Sequence, residues 1–348
     1  MENKFKNTKI EYHILQTFPV TCLNRDDIGT PKSAIVGGVK RARVSSQCWK
    51  RQVRLMLHES GISIAVRTKH VADSILEYVE DKDNPQTIEA VKTIADALSD
   101  DTLIFFSQQE AKKIAEYIAA NKINPKDKNL ITNLSKYLKA ELKDKKGIDG
   151  LDIALFGRMI AKAPTLNIEG AASFSHAITT HRIASEVDFF TAIDDKTPEE
   201  NTGSGHMGSI EFTSGTFYRY VSLNLGMLYD NLGNEEDVRK AVIEFTKALY
   251  LAVPMARQRT QSGYCLWDFA HIYIRKGQEM QLSFDKPVKS EGNGFLNSSI
   301  KEMEANLLKN KELMGSLFGE KGEYVFGDSN EHGIDGLLAF LDKQIKEI

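Results

Sequence analysis

The sequence predicts an α+β protein: a sheet with helices, interrupted by a helical insert and by one long irregular loop. Three observations carry that class. Alternating apolar segments occur early and late in the chain; residues 70 to about 145 are polar, Ala/Lys/Glu-rich and helix-periodic; and Ala192 to Ser209, with Gly203, Gly205 and Gly208, has no regular pattern. A compact domain seldom carries so long an irregular stretch without a functional cause.

Ile10–Leu15 alternates loosely and reads as a strand, followed by an Asn/Asp/Gly/Pro-rich loop from Leu23 to Pro31. Ser45 and Ser46 offer N-cap hydroxyls to a helix over Gln47–Glu59, and Gly61 lies where its C-terminal stop belongs. At about 100° per residue, Trp49, Val53, Met56 and Leu57 share one face of that helix, while Gln47, Lys50, Arg51 and Arg54 fall on the other. Four helices are expected over His70–Glu80, Gln86–Leu98, Gln108–Asn121 and Lys128–Lys143, broken at Asn84-Pro85 and Asn124-Pro125. Apolar, strand-like sequence returns at Leu151–Met159. In Phe212–Leu225, Phe217, Arg219, Val221, Leu223 and Leu225 alternate with Tyr218, Tyr220 and Ser222, which marks a further strand. A helix over Asn234–Leu251 opens with Glu235-Glu236-Asp237, complementing its dipole. Strands at Leu266–Ile274 and Met280–Phe284 and terminal helices complete the chain.

At 348 residues, 41% of them apolar, the chain can bury a substantial core. The formal net charge of −3 excludes a protein that coats nucleic acid with its whole surface. Cys22, Cys48 and Cys265 are odd in number and lack C-x-x-C spacing, which fits a reducing compartment and neither a disulfide framework nor a zinc cage. Residues 1–7 are polar and do not read as a signal peptide, and no run approaches the roughly 20 apolar residues of a membrane span. A cytoplasmic protein is expected.

Against that acidic background, Ile28 to His58 holds seven cations (Lys32, Lys40, Arg41, Arg43, Lys50, Arg51, Arg54) and no Asp or Glu. Without acids there are no i,i+4 partners to satisfy the cations, and a helix N-terminus at Ser45-Ser46-Gln47 supplies N–H groups where an anion would sit. Gly37-Gly38 could let backbone approach a ligand, or simply form a turn. The Walker pattern is absent. Asp26-Asp27 and Asp194-Asp195 could hold a divalent metal for phosphodiester cleavage, although adjacent loop aspartates more often form turns. His176 and His181, five apart, do not share a helical face and are read as core or surface histidines rather than metal ligands. Cys48 has no spaced His or Asp to make it a nucleophile. Phe189-Phe190, Met207 and Met159 flank the long loop or end the apolar strand; core packing is the default, and wedging between the bases of a single strand is the alternative.

The blocks Cys22–Lys32, Gly37–Arg51, Arg67–His70, Leu151–Met159, Gly170–His181, Asp188–Asp195, Gly205–Gly208, Glu211–Tyr220 and Gln258–Thr260 together resemble the backbone subunit of the type I-E CRISPR Cascade complex, the CasC family. The resemblance implies a modified RRM (ferredoxin-like) palm over 1–65, 148–191 and 210–348, a helical fingers insertion over 66–147 and a β-hairpin thumb over 192–209. It places RNA contacts on Lys32, Ser45, Gln47, Lys50, Arg51 and Arg54, the residues around a flipped base on Met159 and Phe190, and Met207 in the thumb. It implies a non-catalytic protein, without cofactor or metal, that polymerises head to tail in about six copies along a CRISPR RNA, beside other Cascade subunits, and presents the guide to target DNA in antiviral defence. Two rivals remain: a metal-dependent RNA endonuclease using Asp26 or Asp27, and a monomeric small-ligand or nucleotide-binding enzyme. Gln261–Trp267 departs from the family pattern.

Overall fold

The first strand, β1 (Thr8–Thr21), runs well beyond the Ile10–Leu15 alternation and buries both of its faces. Ile10, Tyr12 and Ile14 point to one core; Glu11, His13 and Leu15 point to another, so the polar/apolar contrast of a one-sided strand is lost. The computed structural model describes residues 3–99, 102–121, 123–124, 126–142, 149–192, 206–329 and 332–348. After β1 come a hairpin, β2 (Ser33–Val36) and β3 (Val39–Val44), and the basic helix α1 (Ser46–Glu59). Gly37 and Gly38 form the hairpin turn with positive φ (60° and 74°). A Cβ at Gly37 would strike the Asp285 carbonyl, so the glycine also lets the hairpin dock on that segment.

The insertion begins with β4 (Val66–Thr68), α2 (Val71–Leu76) and α3 (Pro85–Leu98), and continues through β5 (Ile104–Phe106), α4 (Gln108–Ala120) and α5 (Leu130–Leu142). All four expected helices are present, and their apolar stripes close on a separate core that includes Val71, Ile94, Ile114 and Leu134. The small β4–β5 sheet was not anticipated, because three-residue strands leave too little alternation to read. A buried ion pair ties the insertion to the chain that returns from it: Arg158 Nη1 donates to Glu110 Oε2 at 2.7 Å.

Leu151–Met159 is not a strand. It forms a short helix, α6 (Leu151–Phe156), stopped by Gly157 (φ 81°). A brief apolar run is compatible with either element, and here Leu151, Ala154 and Leu155 share one buried helical side. β6 (Ala172–Phe174), β7 (Ala177–Thr179), β8 (Glu186–Ala192) and the 19-residue β9 (His206–Asn224) follow. Then come α7 (Leu225–Leu232), α8 (Glu235–Leu251), the one-turn α9 (Gln258–Gln261), β10 (Phe269–Lys276), α10 (Leu296–Met314), β11 (Glu320–Phe326) and α11 (Ile334–Glu347). Met280–Phe284, expected as a strand, pairs with no strand among the described residues; its alternate side chains Met280, Leu282 and Phe284 are buried all the same, as an apolar strap across the sheet.

The main sheet runs β11-β10-β1-β9-β7-β3-β2, with β6 and β8 also paired to β9. Its centre, β10-β1-β9-β7, is antiparallel, and α1 and α8 pack on one face. That is the four-strand, two-helix plan of an RRM-like palm. On the opposite face Tyr218, Tyr220, Tyr273 and Phe269 lie under the Met280–Phe284 strap and α10, sealed with Met303 and Leu307. The face on which an RRM stacks bases is therefore closed. No helix among the described residues is long and apolar enough to cross a membrane.

Candidate nucleic-acid interface

The N-terminus of α1 is built by its neighbours. Ser45 caps the helix, its Oγ accepting from Cys48 N, while its own N–H donates to Asn24 Oδ1 at 3.0 Å. Ser46 N–H donates to His176 Nδ1 at 3.2 Å. Two groups expected to be open to an anion are thus engaged within the protein, and Gln47, exposed, is the side chain left at the helix mouth. His176 is exposed and secures the first turn, with Arg43 Nη1 also 3.4 Å from its Nδ1. Burial first, then the charges of Arg43 and Lys32, hold the His176 pKa below its ordinary value.

Beneath the helix, Trp49 lies 3.5 Å from the guanidinium of Arg219, which is wholly buried and makes no carboxylate contact among the described residues. Burial pushes the Arg219 pKa down to about 9. This stack, with Val53 and Leu57 in the main core, fixes the roll of α1.

The expected cationic face divides in two. Arg51 is exposed and Lys32 and Arg43 are half-buried; none of these forms an ion pair with a carboxylate among the described residues. Lys32 N donates to the Asn24 carbonyl and Arg43 N to the Lys32 carbonyl, and Asn24 Oδ1 in turn accepts from Ser45 N, so Lys32 and Arg43 stand at the start of α1, on which Arg51 lies. Burial raises the pKa of the half-buried Cys48 thiol. Lys50 is half-buried with Nζ 5.8 Å from the Phe174 ring, and burial lowers its pKa. Arg54 is different: Nε donates to Asp152 Oδ2 at 2.6 Å and Nη2 donates to the Ala65 carbonyl. Arg41 is also withdrawn, fully buried and donating to the Thr179 and Phe284 carbonyls. Arg54, read as an RNA contact, and Arg41, read as part of the cationic surface, are structural arginines here; spacing alone cannot distinguish a bare cation from one that meets an acid a hundred residues away. Arg43 and His176 are the additions, and membership of the acid-free run was the available signal for Arg43.

Asp26 is the hub of a turn. Its Oδ1 accepts from Ile28 N and Thr30 N, and its Oδ2 from Thr30 Oγ1 at 2.6 Å. The Thr30 hydroxyl is the largest cause holding its pKa below the ordinary carboxylate range. Among the described residues no group of three or more His, Cys, Asp or Glu side chains is placed to hold a metal. Asp194 and Asp195 lie outside the described residues. His181 is buried and stacked on Phe295 at 3.6 Å, its Nε2 accepting from Thr216 N. All three cysteines are free.

The hairpin expected over 192–209 starts earlier in the chain: Glu186–Ala192 pairs with His206–Phe212, with Phe190 opposite Gly208 and Thr191 opposite Met207. The tip, 193–205, lies outside the described residues. Phe190 (39% exposed) covers Gly208, where a Cβ would come within 2.6 Å of its ring. Met207 (72%) and Phe189 (79%) project from the other face, so Phe190 and Met207 do not act on one surface. Met159, 77% exposed, borders a cleft of about 720 Å³ between palm and insertion, walled by Phe105, Phe156, Leu103 and Arg67.

An RRM-like palm whose stacking face is closed, with a cationic helix mouth, a helical insertion and a bare apolar hairpin, defines a specialised α+β palm protein. The chain belongs to the family of CT1975-like proteins, which matches residues 10–336. It is similar to a chain of a CRISPR RNA-guided surveillance complex, pre-nicking, at 27% identity and a TM-score of 0.77, over 95% of this chain and 99% of that one. A chain of a second CRISPR RNA-guided surveillance complex matches at 27% identity and a TM-score of 0.63, over 97% of this chain and 99% of that one. No curated protein matches.

Proposed function

We propose that the chain is a non-catalytic backbone subunit of a type I-E-like CRISPR Cascade complex, repeating head to tail along a guide RNA and presenting it to target DNA. The observation that carries this reading is the placement of Lys32 and Arg43 at the start of α1, through Asn24 and His176, with Arg51 exposed on the helix and no carboxylate among the described residues paired with any of the three. A guide of any sequence must be held by its phosphates, so cations at a helix mouth suit it and base-edge readers are not needed. The similar chains come from RNA-guided complexes, which supports the same role. The exposed apolar face of the hairpin, Phe189 and Met207, suits insertion between bases of a strand held by the neighbouring copy. A head-to-tail contact that does not close builds a filament on a linear ligand.

Purification with co-expressed partner subunits and a CRISPR array is expected to yield an RNA-laden assembly of many copies. Arg51→Gln should weaken guide binding and lower the log–log salt slope by about 0.7, the value for one phosphate contact on a single strand. A monomer free of RNA, or an unchanged slope, overturns the reading. So does regular cleavage of complementary RNA in Mg²⁺ that Asp27→Ala abolishes.

A further inference from the structure

We propose that Arg219 is a non-contacting part of the guide site: a buried charge beneath α1 that the free protein leaves uncompensated and that the phosphates of a bound strand complete. The inference deepens the RNA-binding reading and rests on it. Arg219 is 2% exposed and reaches from β9 toward α1, with its guanidinium 3.5 Å from the Trp49 ring. Its surroundings are apolar. Phe217 and Val221 stand before and after it on the same face of β9, Ile14 is its partner on β1, and all three are buried. Nη1 donates to Gln16 Oε1, while Nη2 is buried without a hydrogen-bond partner, as is Trp49 Nε1. No Asp or Glu among the described residues pairs with the guanidinium, and burial alone moves its pKa. The Trp49 stack returns part of the cost of desolvating this cation. An apolar side chain of similar length would fill the space without that cost, so packing does not by itself account for an arginine here.

Above this charge lies the start of α1. Trp49 stands in the first turn of the helix, at the positive end of its dipole. Lys32 and Arg43 are held at the same end through Asn24 and His176. All of these contributions have one sign. Counterions do not reach Arg219 beneath its apolar cover, and its field is screened less than that of a surface lysine. A strand phosphate at the helix mouth is the group of opposite sign that the arrangement lacks. Binding and burial are then linked: the anion offsets the cost of the buried charge, and the charge strengthens the hold on the anion.

The test pairs RNA affinity with stability, using the full chain, fluorescence anisotropy with a labelled single-stranded RNA, and thermal unfolding. Arg219→Met is expected to melt at or above the wild-type temperature and yet bind RNA about tenfold more weakly, the effect of one charge across about 10 Å at an effective dielectric constant of about 20. Arg219→Gln takes its place if Arg219→Met does not fold. Arg219→Lys keeps the charge and loses the planar stack, so it should melt lower and recover most of the affinity. Saturating RNA should raise the melting temperature of wild type and Arg219→Lys more than that of Arg219→Met. Recovery by Arg219→Lys supports the charge even where Arg219→Met melts lower. An arginine that only braces Trp49 gives another pattern: Arg219→Met melts lower and the folded variant binds RNA like wild type, which overturns the proposal. A loss of affinity that Arg219→Lys does not recover belongs to the stack rather than the charge and overturns it too. If Arg51→Gln weakens binding while Arg219→Met does not, the buried charge plays no part and the backbone-subunit reading stands. Wild-type protein that binds no RNA overturns both.

Discussion

Arg51 and Arg54 stand on the same helix one turn apart, yet their guanidinium groups have different fates. Arg51 is exposed without an acidic partner among the described residues, whereas Arg54 is fastened to Asp152, itself wholly buried and also accepting from Ala65 N at 2.8 Å. Burial raises the Asp152 pKa, and the Arg54 and backbone contacts oppose it. Removing one member of such a pair strands the other. Asp152→Ala should therefore cost about 3 kcal/mol in chemical denaturation, while Arg54→Met with Asp152→Leu together should cost far less. The salt slope of RNA binding should not change in a folded Arg54→Met variant. A drop there of the size expected for Arg51→Gln would return Arg54 to the phosphate contacts.

At the scale of elements, α6 shows how a stop is made. Gly157 adopts a φ of 81°, and a Cβ there would lie 2.9 Å from both Gly170 N and the Ile168 carbonyl. The chain then turns to pair Arg158 with Ile168, which sends Met159 outward and Arg158 inward to Glu110. Gly157→Ala combines a strained φ with a backbone collision, so a loss of about 2 kcal/mol or more in stability is expected. Unfolding curves measure it, and a change below about 0.5 kcal/mol would show that the turn relaxes without cost. The hairpin makes the complementary point. Its arms alternate strictly, so Phe189 and Met207 share one face and Phe190 closes over Gly208 on the other. If the apolar face is the working one, Phe189→Ala and Met207→Ala should each weaken assembly on RNA more than Phe190→Ala does.

The whole molecule places a charged network inside its sheet. Glu11 and Arg275 pair at 3.0 Å with no exposure, and beside them His13 Nδ1 lies 2.9 Å from the Tyr218 hydroxyl. Burial is the main cause lowering the His13 pKa, and the same holds for His181. Both therefore stay neutral in the folded protein to a lower pH than in the unfolded chain, whose histidines titrate near about 6.5. Above that value they cost nothing; as pH falls below it, the unfolded chain takes up protons first and stability declines. Melting temperatures should fall between pH 7 and pH 5, and the double variant His13→Gln, His181→Gln should show a smaller decline. An equal decline would assign acid sensitivity to other groups.

Local pattern determined much of this architecture: the four helices of the insertion, the basic helix with its Trp49 face and the long strand through Tyr218 were all legible, whereas the pairing of Glu186–Ala192 with the start of that strand was not. Each is written in residues a few positions apart, where periodicity, caps and turn formers act. Contacts between distant segments decided the rest. They set α6 against the strand expectation, left Met280–Phe284 as an unpaired strap, took Arg41 and Arg54 into the structure, and gave His176 to the α1 mouth. A side chain's charge is local, but whether water or a carbonyl from another strand surrounds it depends on where the chain returns, and only the folded sheet specifies that.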